Sequence, residues 1–179
     1  MTDAEYEERL AEISPDKEPV ERHELIKSLI NEVDVYKRFA LLPMAAKTAF
    51  AADDNILAEK YAKELLDLAR EYPNDWNYGN AIHDGNIVPG RLAVKKGDIR
   101  KGTEFLITAG KTPGSPQLNS FGPNMSLAND LLEKGEKEPV ITYFGLCKKF
   151  GEMEDGRLDS WAASIRGGGK PYFGIQVYY

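Results

Sequence analysis

Three times in this chain a small residue is followed, twelve positions later, by the opening of a second apolar helix. The pairs are Ala46 and Ala58, Gly90 and Gly102, and Ala128 and Val140. Each second member leads, four and seven residues on, to Ala62 and Leu65, to Leu106 and Ala109, and to Phe144 and Cys147. Between the members lie turn signals: Asp53-Asp54-Asn55, Lys96-Gly97-Asp98 and Lys134-Gly135-Glu136. A helix, a short turn and a second helix, with small residues where the two cross, is the unit of a helical-hairpin repeat. The spacing therefore predicts an all-α chain of stacked antiparallel hairpins.

Other elements follow from the same periodicity. Tyr6, Leu10 and Ile13 predict a helix over 3–13, broken at Ser14-Pro15, and Pro19 opens a second helix running to Val33. A third spans about Val35 to Ala52 with Pro43 inside it, where the ring should kink the helix. Leu57, Tyr61, Leu65 and Leu68 share one face of a helix from Ile56 to Tyr72, stopped by Pro73. Asp75 is placed to cap a helix from Trp76 to Lys96, despite Gly79, Gly85, Pro89 and Gly90 within it. Residues 76–86 could instead form a loop. Its partner covers 99–109, and residues 110–124 read as a proline- and glycine-rich connection. Helices at 125–134, 138–150 and 158–166 follow. The tail from Pro171 to Tyr179, aromatic and β-branched, reads as an extended segment folded back on the helices.

The 179 residues suit one domain, with N-terminal helices over 1–34, three hairpins over 35–150, and a C-terminal helix and tail over 151–179. No apolar run reaches the roughly 20 residues of a membrane span. The acidic start, with Asp3, Glu5, Glu7 and Glu8, is unlike a secretory signal. A single cysteine, Cys147, excludes an internal disulfide framework, and the expected location is cytoplasmic. The net charge of −6 is uneven: residues 1–72 hold 17 acids against 10 bases, and residues 73–179 hold 12 against 13. That balance argues against a nucleic-acid surface. The local basic stretch of Arg91, Lys95, Lys96, Arg100, Lys101 and Lys111 reads as a solvated helical face.

The three hairpins resemble tetratricopeptide repeats over about residues 35–150, best in Gly90-Arg91-Leu92-Ala93 through Gly97-Asp98-Ile99 to Phe105-Leu106 and Ala109. The resemblance implies a noncatalytic scaffold that holds a protein or peptide. Its repeat starts are 44 and 38 residues apart, whereas the family repeats at about 34. The segments from Asp75 to Asn86 and from Lys111 to Asn124 resemble those of bacterial repeat proteins to which no activity is attached.

Those two segments hold the extra residues, and insertions in repeat arrays gather on one face, often the binding face. A helix over 76–91 would align Trp76, Asn80, His83, Ile87 and Arg91, a stripe of aromatic, amide, imidazole and guanidinium groups suited to a peptide, carboxylate or phosphate. With Asp84, Asn119, Phe121 and Asn124, these are the candidate ligand or partner contacts, Ile87 excepted. The competing reading is that the amides and His83 satisfy the backbone of buried loops.

Chemistry of other kinds finds less support. His83 and Asp84 are adjacent, so their side chains leave a helix about 100° apart and do not by themselves form a dyad. Ser120, His83 and Asp84 could compose a triad, but no nucleophile-elbow motif accompanies them. His23, His83 and Cys147 have no zinc spacing, so neither a metal nor a cofactor is expected. Gly167-Gly168-Gly169-Lys170 lacks the strand, Ser/Thr and helix of a phosphate loop. Cys147 sits at a packing position. The expected function is protein or peptide binding, with a basic partner favoured by the acidic N-terminal half and self-association also open. A small-molecule or anion binder, and an enzyme using His83 as acid or base, are the alternatives.

Overall fold

The computed structural model describes residues 1–150 and 156–177. Residues 151–155 of the expected C-terminal region, and Tyr178 and Tyr179 of the expected tail, lie outside them. The described chain is all-α, with ten α-helices and no strand among the described residues. They are α1 (Asp3–Ala11), α2 (Pro19–Ile30), α3 (Val35–Ala51), α4 (Asn55–Glu71), α5 (Tyr78–Lys95), α6 (Ile99–Gly110), α7 (Pro116–Phe121), α8 (Ser126–Glu133), α9 (Lys137–Cys147) and α10 (Arg157–Arg166). A 3-10 turn, Gly174–Val177, follows. Helices pack on their sequence neighbours from α1 through α6 and again from α8 through α10, while α5 and α6 also meet α8, and α6 meets α9.

The pairs α3/α4, α5/α6 and α8/α9 turn in the same way. At each turn one residue takes a positive φ: 65° at Asp53, 85° at Gly97 and 87° at Gly135. The following amide reaches back five residues, from Asp54 to the Ala49 carbonyl (2.9 Å), Asp98 to Ala93 (2.9 Å) and Glu136 to Leu131 (3.0 Å). The positive-φ residue bonds three back, at 3.1, 3.0 and 3.0 Å. Together these are a Schellman closure, which gives partners to carbonyls stranded at a helix end. Asp54 and Asp98 then cap the next helix through their carboxylates, onto the Leu57 and Lys101 amides. The equivalent turns are thus 52–54, 96–98 and 134–136, one residue earlier in the first hairpin than its Asp-Asp-Asn signal suggests. Ala46, Ala58, Ala128 and Val140 have no exposed surface, and Gly90 and Gly102 are buried.

Helix α5 carries the architecture. Thirteen of its eighteen residues are buried, and it contributes to both apolar clusters. Ala81, Val88 and Leu92 belong to the one formed with α1–α4, Ile87 and Val94 to the one formed with α6–α10 and Phe173. A helix enclosed on several sides needs small residues where neighbours come close. A Cβ on Gly79 would lie 1.7 Å from the Gly114 carbonyl oxygen; one on Gly85 would lie 2.8 Å from Leu66, and one on Gly90 2.3 Å from Leu127. The poor helix propensity of these residues is therefore overridden by packing, and residues 78–86 are helix, not loop.

Several boundaries differ from expectation. α1 and α2 stop at Ala11 and Ile30, short of Ile13 and Val33, and α9 stops at Cys147. Asp75 is not the cap of α5: that position belongs to Asn77, and the Asp75 carboxylate accepts the Asn77 amide at 2.8 Å, an Asx turn that holds Trp76 outside the helix. The 110–124 connection contains α7, started by Ser115, whose hydroxyl accepts the Leu118 amide, with Pro116 at the first helical position. The tail is folded back as expected, but by a 3-10 turn. Phe173 is buried edge-on against Trp161, with centroids 5.0 Å apart, and the Met125 amide donates to the Gln176 carbonyl at 2.7 Å.

Candidate functional site

A cleft of about 340 Å³ opens where α3, the start of α5, α7 with the loop behind it, and the tail converge. One wall is Ala40, Pro43, Met44 and Lys47 of α3. The second is Trp76, Asn77, Asn80 and Asp84, and the third runs from Gln117 and Leu118 to the 121–124 loop. Ile175 and Gln176 complete it. Its rim is apolar and exposed: Trp76 is 48% accessible, Phe121 77% and Ile175 83%.

The wall from α5 is fixed by hydrogen bonds that answer specific local needs. Pro43 has no N–H, so the Phe39 carbonyl one turn earlier loses its helical partner. The Asn77 side-chain Nδ2 donates to that carbonyl at 3.3 Å. Asn80 divides its NH₂ between Asn77 Oδ1 (3.1 Å) and Gln117 Oε1, while its own oxygen accepts the Ser115 hydroxyl. Thr112 donates to the Gly79 carbonyl at 2.7 Å across the close approach at Gly114. The amide-rich sequence of this segment thus ties α5 to the 112–117 loop.

Beneath the cleft lies a second set of bonds. Lys47 Nζ donates to Asp84 Oδ2 at 2.9 Å, and His83 Nδ1 lies 3.0 Å from Asp84 Oδ1. His83 Nε2 lies 2.8 Å from the Tyr143 hydroxyl, which donates to the Asn124 carbonyl at 2.9 Å. The series begins at one wall, passes under the floor and ends at the loop opposite. Burial pushes the Asp84 carboxyl up, but the Lys47 charge and the His83 hydrogen bond more than offset it, and the group is held well below the usual carboxylate range. An ionised Asp84 only accepts, which places a proton on His83 Nδ1. Burial, with Cys147 alongside, raises the Tyr143 hydroxyl well above the ordinary tyrosine value.

Of the eight candidate residues, Trp76, Asn80, Asp84, Phe121 and Asn124 line this one cleft. His83 does not; it has no exposed surface and acts from behind Asp84. Its pairing with Asp84 corrects the expectation from helical direction, since both side chains bend toward each other despite leaving the backbone at different angles. Arg91 lies elsewhere, paired with Asp130 (Nε–Oδ2 2.6 Å) and stacked over Phe50 at 4.4 Å. The Asn119 side-chain amide faces the carbonyls of Ser115 and Phe150, two acceptors that assign its nitrogen to that side, 3.2 Å from Ser115 O. Ser120 is exposed and does not join the His83–Asp84 pair, whose other partners are Lys47 and Tyr143.

Lys47 and the tail residues were not expected at this site, whereas Gln117 belongs to the inserted 111–124 segment already marked as a binding segment. Lys47 and the tail come from a helix and a turn far away in sequence, and no local pattern marks them. The basic stretch is a helical face as read, with Lys95 on Asp53, Lys96 on Glu59 and Arg100 on Glu104. Among the described residues no group of three or more His, Cys, Asp or Glu is placed to hold a metal ion. None of their helices is long and apolar enough to cross a membrane. Comparison with protein-family models, with curated proteins and with solved structures finds no match to this chain.

Proposed function

We propose that this chain is a noncatalytic helical-repeat scaffold of tetratricopeptide-like character, and that the cleft holds a short segment of a protein or peptide. The observation that carries this reading is the convergence of Trp76, Phe121 and Ile175, all exposed, around a floor of side-chain amides. Exposed aromatic and branched side chains offer area to an apolar side chain of a ligand, and amides match the donors and acceptors of a peptide main chain. The volume is near the small end of ligand sites, enough for a few residues and not for a folded element. The shared hairpin turns and buried small residues support the repeat reading. The cleft itself has one cation and one anion, already paired. Attraction of a basic partner would therefore come from the acidic N-terminal half at longer range. A general acid or base must touch its substrate, and His83 is buried with both ring nitrogens engaged.

The test is selection of random displayed peptides on the protein, followed by affinity measurement on Trp76→Asp and Phe121→Asp. Both side chains are substantially exposed, so the variants should melt like wild type while losing at least tenfold in affinity. Failure to enrich any peptide, or peptides that bind both variants as well as wild type, would refute the reading.

A further inference from the structure

We infer that His83 carries a proton on both ring nitrogens in the folded protein, and that this second proton leaves the Tyr143 hydroxyl free to hold the 121–124 wall of the cleft. The wall is positioned in this way whatever ligand the cleft takes.

Protons along the buried series can be counted. Three contacts join Asp84, His83, Tyr143 and the Asn124 carbonyl, at 3.0, 2.8 and 2.9 Å. Each is a hydrogen bond only if one proton lies in it. Neither end supplies one, because a carbonyl and an ionised carboxylate only accept. Asp84 is ionised, since its carboxyl is held well below the usual range. All three protons must then come from the two residues between. Tyr143 has one, and His83 must bring the other two.

A neutral imidazole leaves the count one short. With its proton on Nδ1, toward Asp84, its bare Nε2 would compete with the Asn124 carbonyl for the single phenolic proton. If Tyr143 turned to His83, its oxygen would face that carbonyl at 2.9 Å with no proton between them. If it kept to the carbonyl, Nε2 and the phenolic oxygen would meet lone pair to lone pair at 2.8 Å. His83 and Tyr143 have no exposed surface, so bulk water does not repair either arrangement. Cys147 is the remaining group at the hydroxyl. Its thiol can give a proton to the phenolic oxygen, which leaves the contact with His83 unchanged.

The surrounding charges suit an imidazolium. The direct partners of His83 are Asp84 beside it and Tyr143 of α9; Lys47 of α3 reaches it through Asp84, and Cys147 of α9 through Tyr143. Helices α4, α6, α7 and α8, which also pack on α5, bring it no hydrogen-bond or ion-pair partner among the described residues. A buried charge persists when it is paired and hydrogen-bonded. Asp84 divides its oxygens between His83 and Lys47, and Lys47 is partly in solvent, so the carboxylate is not spent on the ammonium alone. Loss of the Nε2 proton would draw the Tyr143 hydrogen to His83 and away from Asn124, and the loop that carries Phe121 would lose that bond to α9.

The test is nitrogen magnetic resonance on full-length protein, reading both ring nitrogens of His83 from about pH 5 to about pH 8, together with hydrogen exchange of the Met125 amide. That amide adjoins Asn124 and donates to the Gln176 carbonyl at 2.7 Å, so it reports whether the loop stays in place. Both nitrogens should have the shift of a protonated imidazole wherever Met125 is protected. Tyr143→Phe keeps the ring and removes the hydroxyl, and should speed Met125 exchange roughly tenfold relative to amides of α4. Where wild type loses the Nε2 proton, its Met125 exchange should rise by a similar factor, and Tyr143→Phe should show no such step. A bare Nε2 while Met125 is protected would overturn the proton count. Unchanged Met125 exchange in Tyr143→Phe, or no rise in wild type once the proton has gone, would overturn the hold on the loop. An Nε2 that keeps its proton throughout supports the count and leaves the hold to the variant. If Tyr143→Phe does not fold, wild type decides alone, by the nitrogen shifts and the step in exchange.

Discussion

Gly79 and Gly145 are both helical glycines, and replacing each with alanine should have opposite effects. A Cβ at Gly145 meets nothing within 4 Å, whereas at Gly79 it would lie 1.7 Å from the Gly114 carbonyl oxygen. In a helix, alanine is better than glycine by about 1 kcal/mol. Gly145→Ala should realise most of that, lessened near the end of α9, as a gain of about 0.5–1 kcal/mol. At Gly79 the 112–115 loop must retreat by roughly 1.5 Å to restore an ordinary contact. Such a shift strains the packing by about 1–3 kcal/mol. It also breaks the buried Thr112 bond to the Gly79 carbonyl, now 2.7 Å, at about 1–3 kcal/mol. Set against the propensity gain, the net loss is about 2–4 kcal/mol. In a domain of this size the melting point moves about 2–4 °C per kcal/mol. Gly79→Ala should therefore melt roughly 5–15 °C lower and Gly145→Ala roughly 1–4 °C higher, measured by circular dichroism. Shifts of the same sign, or a Gly79→Ala variant as stable as wild type, would refute the close approach of α5 to the 112–115 loop.

Two further outcomes follow from the structure. Asp84→Asn removes the charge that holds Lys47 and should destabilise by about 2–4 kcal/mol at neutral pH. Because the folded carboxyl is depressed, the stability linked to it is fully present above the unfolded aspartate value of about 4 and is lost as pH falls below that value. Urea denaturation at pH 7 and pH 3 should show the gap between wild type and variant narrowing at the lower pH; a constant gap would exclude an ionised Asp84 as its source. Asp53→Gly gives the first hairpin the residue found at the same turn position in the other two. It should stabilise by about 0.5 kcal/mol, since the Lys95 partner of Asp53 is half-exposed and worth little; a lower urea midpoint would contradict it.

What the sequence disclosed depended on range. Helices declare themselves through neighbours three and four residues apart, so the hairpins were readable from Ala46, Gly90, Ala128 and their partners. The glycines of α5 were readable as an anomaly and not as a cause, because the atoms that require them belong to Gly114, Leu66 and Leu127. Ser115-Pro116 did carry a helix-start signal, a capping hydroxyl followed by proline at the first position, yet the surrounding prolines and glycine read as a connector. Asp75 had the right chemistry for a cap and satisfied a turn two residues too early. At the site, the inserted segments pointed to one wall and the far loop. Lys47 sits on a regular hairpin helix, where its spacing says only that it faces away from the core of that hairpin. Its role appears when α5 brings Asp84 to 2.9 Å.

The double membership of α5 has a consequence for how the molecule comes apart. In an open array each unit leans only on the next, and units can melt or be removed from an end with graded loss. Here the same helix closes the apolar cluster on each side, Val88 and Leu92 toward one and Ile87 and Val94 toward the other. Neither half can release it without exposing the other. The chain should therefore unfold in one cooperative transition and resist division into smaller stable fragments, which ties the integrity of the cleft to that of the whole domain.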